Sequence, residues 1–123
     1  MVPELYKKVG QQMGVNPDTV FSSGQCENMS DELVIALRHK GTEADVMAYH
    51  GGWTVTFHDF VIFVEDGEEW IADPTWQQFL IEPNTELPHV LITKKSETVD
   101  TLTKLGIPKD KHAIWLDARR MGL

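Results

Sequence analysis

Apolar positions recur along this chain at two different periods, and the change between them separates a helical first part from a strand-rich middle. Over residues 3–13, Leu5, Val9 and Met13 stand four apart, which predicts a short helix, with Pro3 suited to its first turn and Gly14 to its end. Asn16-Pro17-Asp18 marks a turn. A second stripe, Met29, Leu33 and Leu37 with Ala36 beside it, predicts a longer helix. Cys26 falls on that stripe one turn earlier. Ahead of it, Ser22-Ser23-Gly24-Gln25 offers N-cap hydroxyls, with Ser22 and Gln25 at capping-box spacing. Gly41 closes the helix after Arg38, His39 and Lys40, which complement its dipole. The pattern sets Cys26 in the first turn of a helix, facing inward.

Past Gly41 the chain breaks into short segments rich in β-formers: 44–49, 53–57, 60–65 and 68–72. Asp66-Gly67 between the last two is a strong hairpin signal. In Phe60-Val61-Ile62-Phe63-Val64 both alternating faces are apolar, which predicts a central strand covered on both sides. Asp73-Pro74 ends the next strand, and 75–79 reads as a helical turn. Residues 89–93 read as a strand, and 96–105 as a helix on Val99, Leu102 and Leu105, stopped by Gly106 and Pro108. Residues 113–116 fit either a last strand or a helical turn. The order, helices then an antiparallel sheet then a helix, predicts an α+β domain with one helix packed on the sheet.

A chain of 123 residues, 41% hydrophobic and 24% charged, predicts a single domain over 1–123 that buries a core without disulfides or metal. The formal net charge of -8 argues against a sequence-independent grip on nucleic acid and against an anionic membrane surface, and favours a protein, peptide or small-molecule partner. No apolar run is long enough to span a bilayer, and the first residues lack a basic and apolar leader. A single cysteine rules out an internal disulfide, so a reducing, cytoplasmic setting is expected. Neither a cofactor nor a metal is expected, since no His-Glu-x-x-His spacing exists and one cysteine is available.

The candidate chemistry begins at Cys26. Unpaired N–H groups at a helix start favour a thiolate and can hold the oxyanion formed when it attacks a carbonyl. Taken by itself, a lone cysteine on an apolar stripe is an ordinary core residue. His58 stands at the entry to the central strand, in Phe57-His58-Asp59-Phe60-Val61, placed to take the thiol proton. The Asp66-Gly67 hairpin brings Asp73 level with the His58 end, within about two residues of register. An aspartate there orients an imidazole and fixes its tautomer. His50, before Gly51-Gly52, is the rival base and reads as a turn residue; His39, His89 and His112 read as surface or cap residues. Trp53, Trp70, Trp76 and Trp115 are core candidates, Trp76 being equally a candidate wall of the cleft. The run Glu65, Asp66, Glu68 and Glu69 reads as a solvated hairpin tip, and Lys94-Lys95 is too small for a nucleic-acid patch.

Ser-Gly-Gln-Cys26 on a helix, then His58-Asp-Phe-Val-Ile-Phe-Val, then Trp70-Ile-Ala-Asp73-Pro74-Thr75 resembles the papain-like and transglutaminase-like cysteine enzymes. The strand ending in Asp-Pro-Thr, followed by Trp76, Gln78 and Phe79, is similar to the papain-fold toxin domains of bacterial polymorphic toxins and to effector protein-glutamine deamidases. The resemblance covers about residues 22–79. It implies a nucleophile helix on an antiparallel sheet, with Cys26 as nucleophile, His58 as base and then acid, and Asp73 as orienter. Papain-type peptidases also carry a glutamine several residues before the cysteine, and 18–21 here hold none. Gln25 or Ser23 is then the second oxyanion donor beside the Cys26 backbone N–H. The resemblance implies deamidation of a protein glutamine by an effector delivered into a target cell; a thiol protease or a transglutaminase uses the same triad. A non-catalytic domain binding a protein partner through its acidic surface, as an adaptor, immunity or inhibitor protein does, is the alternative of another class.

Overall fold

The computed structural model describes residues 26–51, 57–82, 84, 86–88 and 90–122, and for 26–28 the backbone alone. The expected helix over 3–13, the cap residues Ser22, Ser23 and Gln25, and Trp53 and His89 lie outside the described residues.

Helix α1, Cys26–His39, forms on the expected stripe, with Leu33, Val34 and Leu37 buried and Ile35 turned to solvent. It stops in a Schellman motif: the Thr42 N–H reaches the Leu37 carbonyl at 3.1 Å and the Gly41 N–H reaches Arg38 at 3.0 Å. That motif needs a left-handed residue, and Gly41 supplies it at φ +81. Five strands follow among the described residues: β1 Ala44–His50, β2 Phe57–Glu65, β3 Glu68–Asp73, β4 Leu91–Lys94 and β5 Arg119–Arg120. They form one antiparallel sheet in the order β4-β3-β2-β1-β5. Asp66 and Gly67 both adopt positive φ, 51 and 76, the two-residue hairpin turn that Asp-Gly favours. Helix α2, Thr98–Lys104, follows a 3-10 turn at Lys95–Glu97, and a short α3, Ala113–Leu116, settles the open choice at 113–116 as helix.

Alternation along β2 divides the core. Val61 and Phe63 face α1, with Ala44, Val46, Ala72 and Val90. Phe60 and Ile62 face the other side, against Ile71, Trp76, Leu91, Leu102 of α2, and Ile114 and Trp115 of α3. The expectation of one helix on the sheet is therefore corrected: both faces are covered, because the C-terminal helices close the side that α1 leaves open.

Several boundaries differ from expectation. β2 begins at Phe57 rather than at residue 60, since β1 pairs with it through His50↔Phe57. β4 starts at Leu91, with Val90 in a bend before it. β5 has no alternating apolar signal, both arginines being exposed, and it exists through backbone pairing to β1. The hairpin-tip acids are paired as well as solvated: Glu68 meets Lys94 at 3.0 Å, and Glu69 meets Arg120 at 2.6 Å and Lys95 at 3.5 Å. The Arg120 hydrogen bond is the main cause holding the Glu69 carboxyl below its ordinary value, and the Glu68 carboxylate holds Lys94 above its own. His112 is buried rather than at the surface, donating from Nε2 to the Ile107 carbonyl at 3.1 Å, and it stands at the expected cap position, the N-cap of α3.

Candidate active site

His58 is the second residue of β2 and shares its face with Phe60 and Ile62. Asp73 closes β3. The β2–β3 register, Val61↔Ala72 at its last pair, puts Asp73 opposite Phe60, two residues from His58 on the same face. The two side chains meet there. His58 Nε2 and Asp73 Oδ2 are 2.6 Å apart, and both residues are 0% exposed.

The aspartate is held on every side. Oδ1 accepts the Thr75 backbone N–H at 3.0 Å and the Thr75 hydroxyl at 3.4 Å. Oδ2 accepts the Trp115 indole N–H at 2.8 Å in addition to the imidazole. Four donors on one buried carboxylate offset the cost of removing it from water. Since a carboxylate offers acceptors alone, His58 Nε2 carries the proton in this bond.

That assignment leaves Nδ1 as the acceptor of the neutral ring, and the Gln78 amide nitrogen donates to it at 3.2 Å. The same nitrogen lies 3.1 Å from the Thr75 carbonyl and 3.1 Å from its hydroxyl. A carbonyl needs a donor, so the amide is turned with its NH₂ group toward the ring. Phe79 meets the imidazole edge-on at 4.8 Å, Trp115 does so at 6.0 Å, and Phe60 stacks at 6.0 Å. The ring is therefore walled by apolar surface and fixed by polar groups at both nitrogens.

Helix α1 reaches the same end of the sheet from the opposite face. The hydroxyl of Ser30, which is fully buried, donates to the Asp59 carbonyl at 3.1 Å. Near the other end of the helix, Arg38 Nε donates to Ala44, whose strand partner is Phe63. The helix thus runs along β2 with its N-terminus toward His58. Cys26 begins it, one turn before Ser30 and roughly 6 Å further along the axis. That axial step matches about two strand residues, which puts the Cys26 backbone level with the start of β2. The β2–β3 ladder stops at Val61↔Ala72, while the β2–β1 ladder continues to Phe57↔His50, so the sheet is cut back at this corner.

The structure brings His58 and Asp73 together, while α1, which Cys26 opens, packs on the opposite face of the sheet; the Cys26 side chain, Ser23 and Gln25 lie outside the described residues. Trp76 does not wall a cleft. It is 0% exposed, and its indole N–H donates to the Pro88 carbonyl at 3.0 Å, because the 3-10 turn Trp76–Phe79 drives it into the core. Among the described residues, Trp115 is the tryptophan that meets the pair. His50 is exposed and rests edge-on against Phe57 at 5.0 Å, away from Asp73. An open furrow of about 520 Å³ lies between the end of β1 and β5, lined by Tyr49, His50, Asp117 and Arg119 among others; Tyr49 is the strand partner of His58. Among the described residues no group of three or more His, Cys, Asp and Glu is arranged to hold a metal ion, and no helix is long and apolar enough to cross a membrane.

No protein-family model matches the chain, and no curated protein matches it. Among solved structures it is similar to the C-terminal region of Pasteurella multocida toxin, described as having a thiol-protease-like catalytic triad. The identity is 18% and the TM-score 0.45, over 79% of this chain and 16% of the toxin chain. A likeness this distant shows no family and assigns no activity.

Proposed function

We propose that this chain is a thiol-dependent hydrolase of amide carbonyls with a papain-like or transglutaminase-like core. In this reading Cys26 is the nucleophile, His58 the base and then the acid, and Asp73 the orienting carboxylate. The observation that carries it is the fully buried His58–Asp73 hydrogen bond of 2.6 Å at the end of the sheet where α1 begins.

The chemistry follows from the ring. Asp73 fixes the proton on Nε2 and stabilises the imidazolium, leaving Nδ1 to accept the Cys26 thiol proton. The thiolate attacks the carbonyl carbon, and helix-start N–H groups, with Gln25 or Ser23 beside them, hold the oxyanion. Nδ1–H then protonates the departing amine, a thioester remains on Cys26, and water attacks it with Nδ1 again taking the proton. If the amine is ammonia from a glutamine side chain, the net reaction converts carboxamide and water to carboxylate and ammonium. That deamidase form is preferred, from the similarity of Asp73-Pro74-Thr75-Trp76 with Gln78-Phe79 to effector deamidases, and from the absence of a glutamine at 18–21. The substrate is then a protein or peptide.

The test has two parts. Iodoacetamide at pH 6 should modify Cys26 much faster than an ordinary thiol, and Cys26→Ala should abolish turnover while leaving the unfolding transition in place. Mass spectrometry of candidate proteins separates the outcomes, since a gain of about one mass unit marks deamidation, backbone cleavage a protease and a crosslink a transglutaminase. An ordinary thiol rate at Cys26 rejects the proposal and favours a binding domain.

A further inference from the structure

Trp115 takes no part in the proton transfers above, yet it touches the atom on which they depend. Its indole Nε1 donates at 2.8 Å to Asp73 Oδ2, the oxygen that also accepts His58 Nε2–H. The contact joins residues 42 apart in sequence, on α3 and β3, and both are buried. Resting on the proposed function, we infer that Trp115 is a positioning residue that aims Asp73 Oδ2 at the imidazole.

The torsion that turns a carboxylate about its last bond is broad and soft, so a carboxylate held at one oxygen still swivels. Thr75 holds Oδ1 through its backbone N–H and hydroxyl, and Trp115 holds Oδ2 from α3. With both oxygens anchored, the lone pair left for His58 has one direction. The choice of donor matters too. An indole N–H donates and never accepts, and it carries no charge. A lysine or arginine there forms an ion pair that competes for the carboxylate; an indole leaves the negative charge for the imidazolium. Its ring meets His58 at 6.0 Å and Phe79 at 5.3 Å, so the residue that orients the carboxylate also limits the tilt of the imidazole. Phenylalanine supplies much of that packing but not the N–H.

Trp115→Phe separates the two contributions. The variant should unfold cooperatively, and its Cys26 alkylation at pH 6 should slow about tenfold, the factor set by one charge-assisted hydrogen bond. The low-field His58 Nε2–H proton resonance should exchange faster with water in the same variant. A folded variant with wild-type alkylation and a wild-type Nε2–H resonance overturns the inference and leaves Trp115 as packing. If Trp115→Phe does not fold, Asp73→Asn decides: the Trp115 indole N–H resonance should move upfield and exchange faster as its acceptor loses charge, and an unmoved resonance overturns the inference. If wild-type Cys26 alkylates as an ordinary thiol, the enzyme reading falls, and the two resonances still decide whether Trp115 orients the His58–Asp73 pair.

Discussion

Replacing Asp73 by asparagine keeps the shape of the side chain and exchanges one acceptor for a donor. The four partners of Asp73 are all donors, two at each oxygen. With the amide NH₂ on the Oδ1 side, it meets the Thr75 backbone N–H, which has no other role to adopt. With the NH₂ on the Oδ2 side, His58 can switch tautomer and accept, but the Trp115 indole N–H cannot. Either orientation sets a fixed, buried N–H against another donor. An unsatisfied buried donor costs about 1–3 kcal/mol, and the charge-assisted bonds lost with the carboxylate bring the total to about 3 kcal/mol. For 123 residues the unfolding entropy is roughly 0.26 kcal/mol/K, so Tm should fall by about 12 °C. In the second orientation the tautomer of His58 is reversed and its Nδ1–H faces the Gln78 NH₂ group. Turnover should then fall by about 10³–10⁴, the size of effect expected when a triad histidine holds the wrong tautomer. Calorimetry, histidine ring nitrogen shifts and a turnover assay read the three consequences. A Tm within about 3 °C of wild type, with the ring tautomer unchanged, refutes the donor accounting.

Ser30→Ala removes the buried hydroxyl that ties α1 to the Asp59 carbonyl, and should cost about 1 kcal/mol, or about 4 °C in Tm; an unchanged Tm shows that the helix start is docked by other contacts. Glu69 gives a pH dependence. Its carboxyl is held below its ordinary value near 4.5 in the folded state, chiefly by the Arg120 hydrogen bond, so its contribution is complete above 4.5 and lost as pH falls through the folded value. The group is half-exposed and screened, which limits the effect to roughly 0.5 kcal/mol. Denaturant titrations between pH 6 and 3 should show a smaller loss for Glu69→Gln than for wild type, and the difference should shrink in 1 M salt. Equal acid losses in the two proteins at low salt refute that assignment.

The parts of this fold that local chemistry dictates were legible in the chain. Leu33 and Leu37 with Gly41 set the body and end of α1, Asp66-Gly67 set the hairpin, and the hairpin register alone brought Asp73 within two residues of His58. The parts that depend on distant packing were not. Trp76 and Trp115 look alike as isolated residues, and nothing near either indicates which indole reaches Asp73; that follows from α3 closing the second face of the sheet. Ser30 carried a weak signal, a hydroxyl one turn after Cys26 on the face that docks. The cap position of His112 was legible but its burial was not, because its partner, the Ile107 carbonyl, becomes available after the Gly106 turn at the end of α2. β5 rests on two backbone-paired arginines, with no side-chain periodicity to announce it.

The two nitrogens of His58 are held very differently, and the difference suits a ring that exchanges protons at one of them. Behind Nε2 stands a buried carboxylate with four donors, anchored from β2, β3, the Thr75 turn and α3. In front of Nδ1 stands the Gln78 amide, whose two hydrogens are shared among three acceptors: Nδ1 at 3.2 Å, and the Thr75 carbonyl and hydroxyl at 3.1 Å. Gln78 can release the ring and keep both hydrogens bonded to Thr75, so little is lost when Nδ1 takes a proton from elsewhere. Gln78→Ala should accordingly cost less than about 1 kcal/mol, well below Asp73→Asn, because Gln78 is half-buried, the Thr75 carbonyl keeps the residue-78 backbone N–H, and the Thr75 hydroxyl keeps its bond to Asp73 Oδ1. The His58 Nε2–H resonance should stay protected in that variant, since nothing on the Asp73 side changes. A loss as large as that of Asp73→Asn, or an Nε2–H proton in fast exchange, means that both sides of the ring are equally rigid and that Nδ1 is not the nitrogen that exchanges protons.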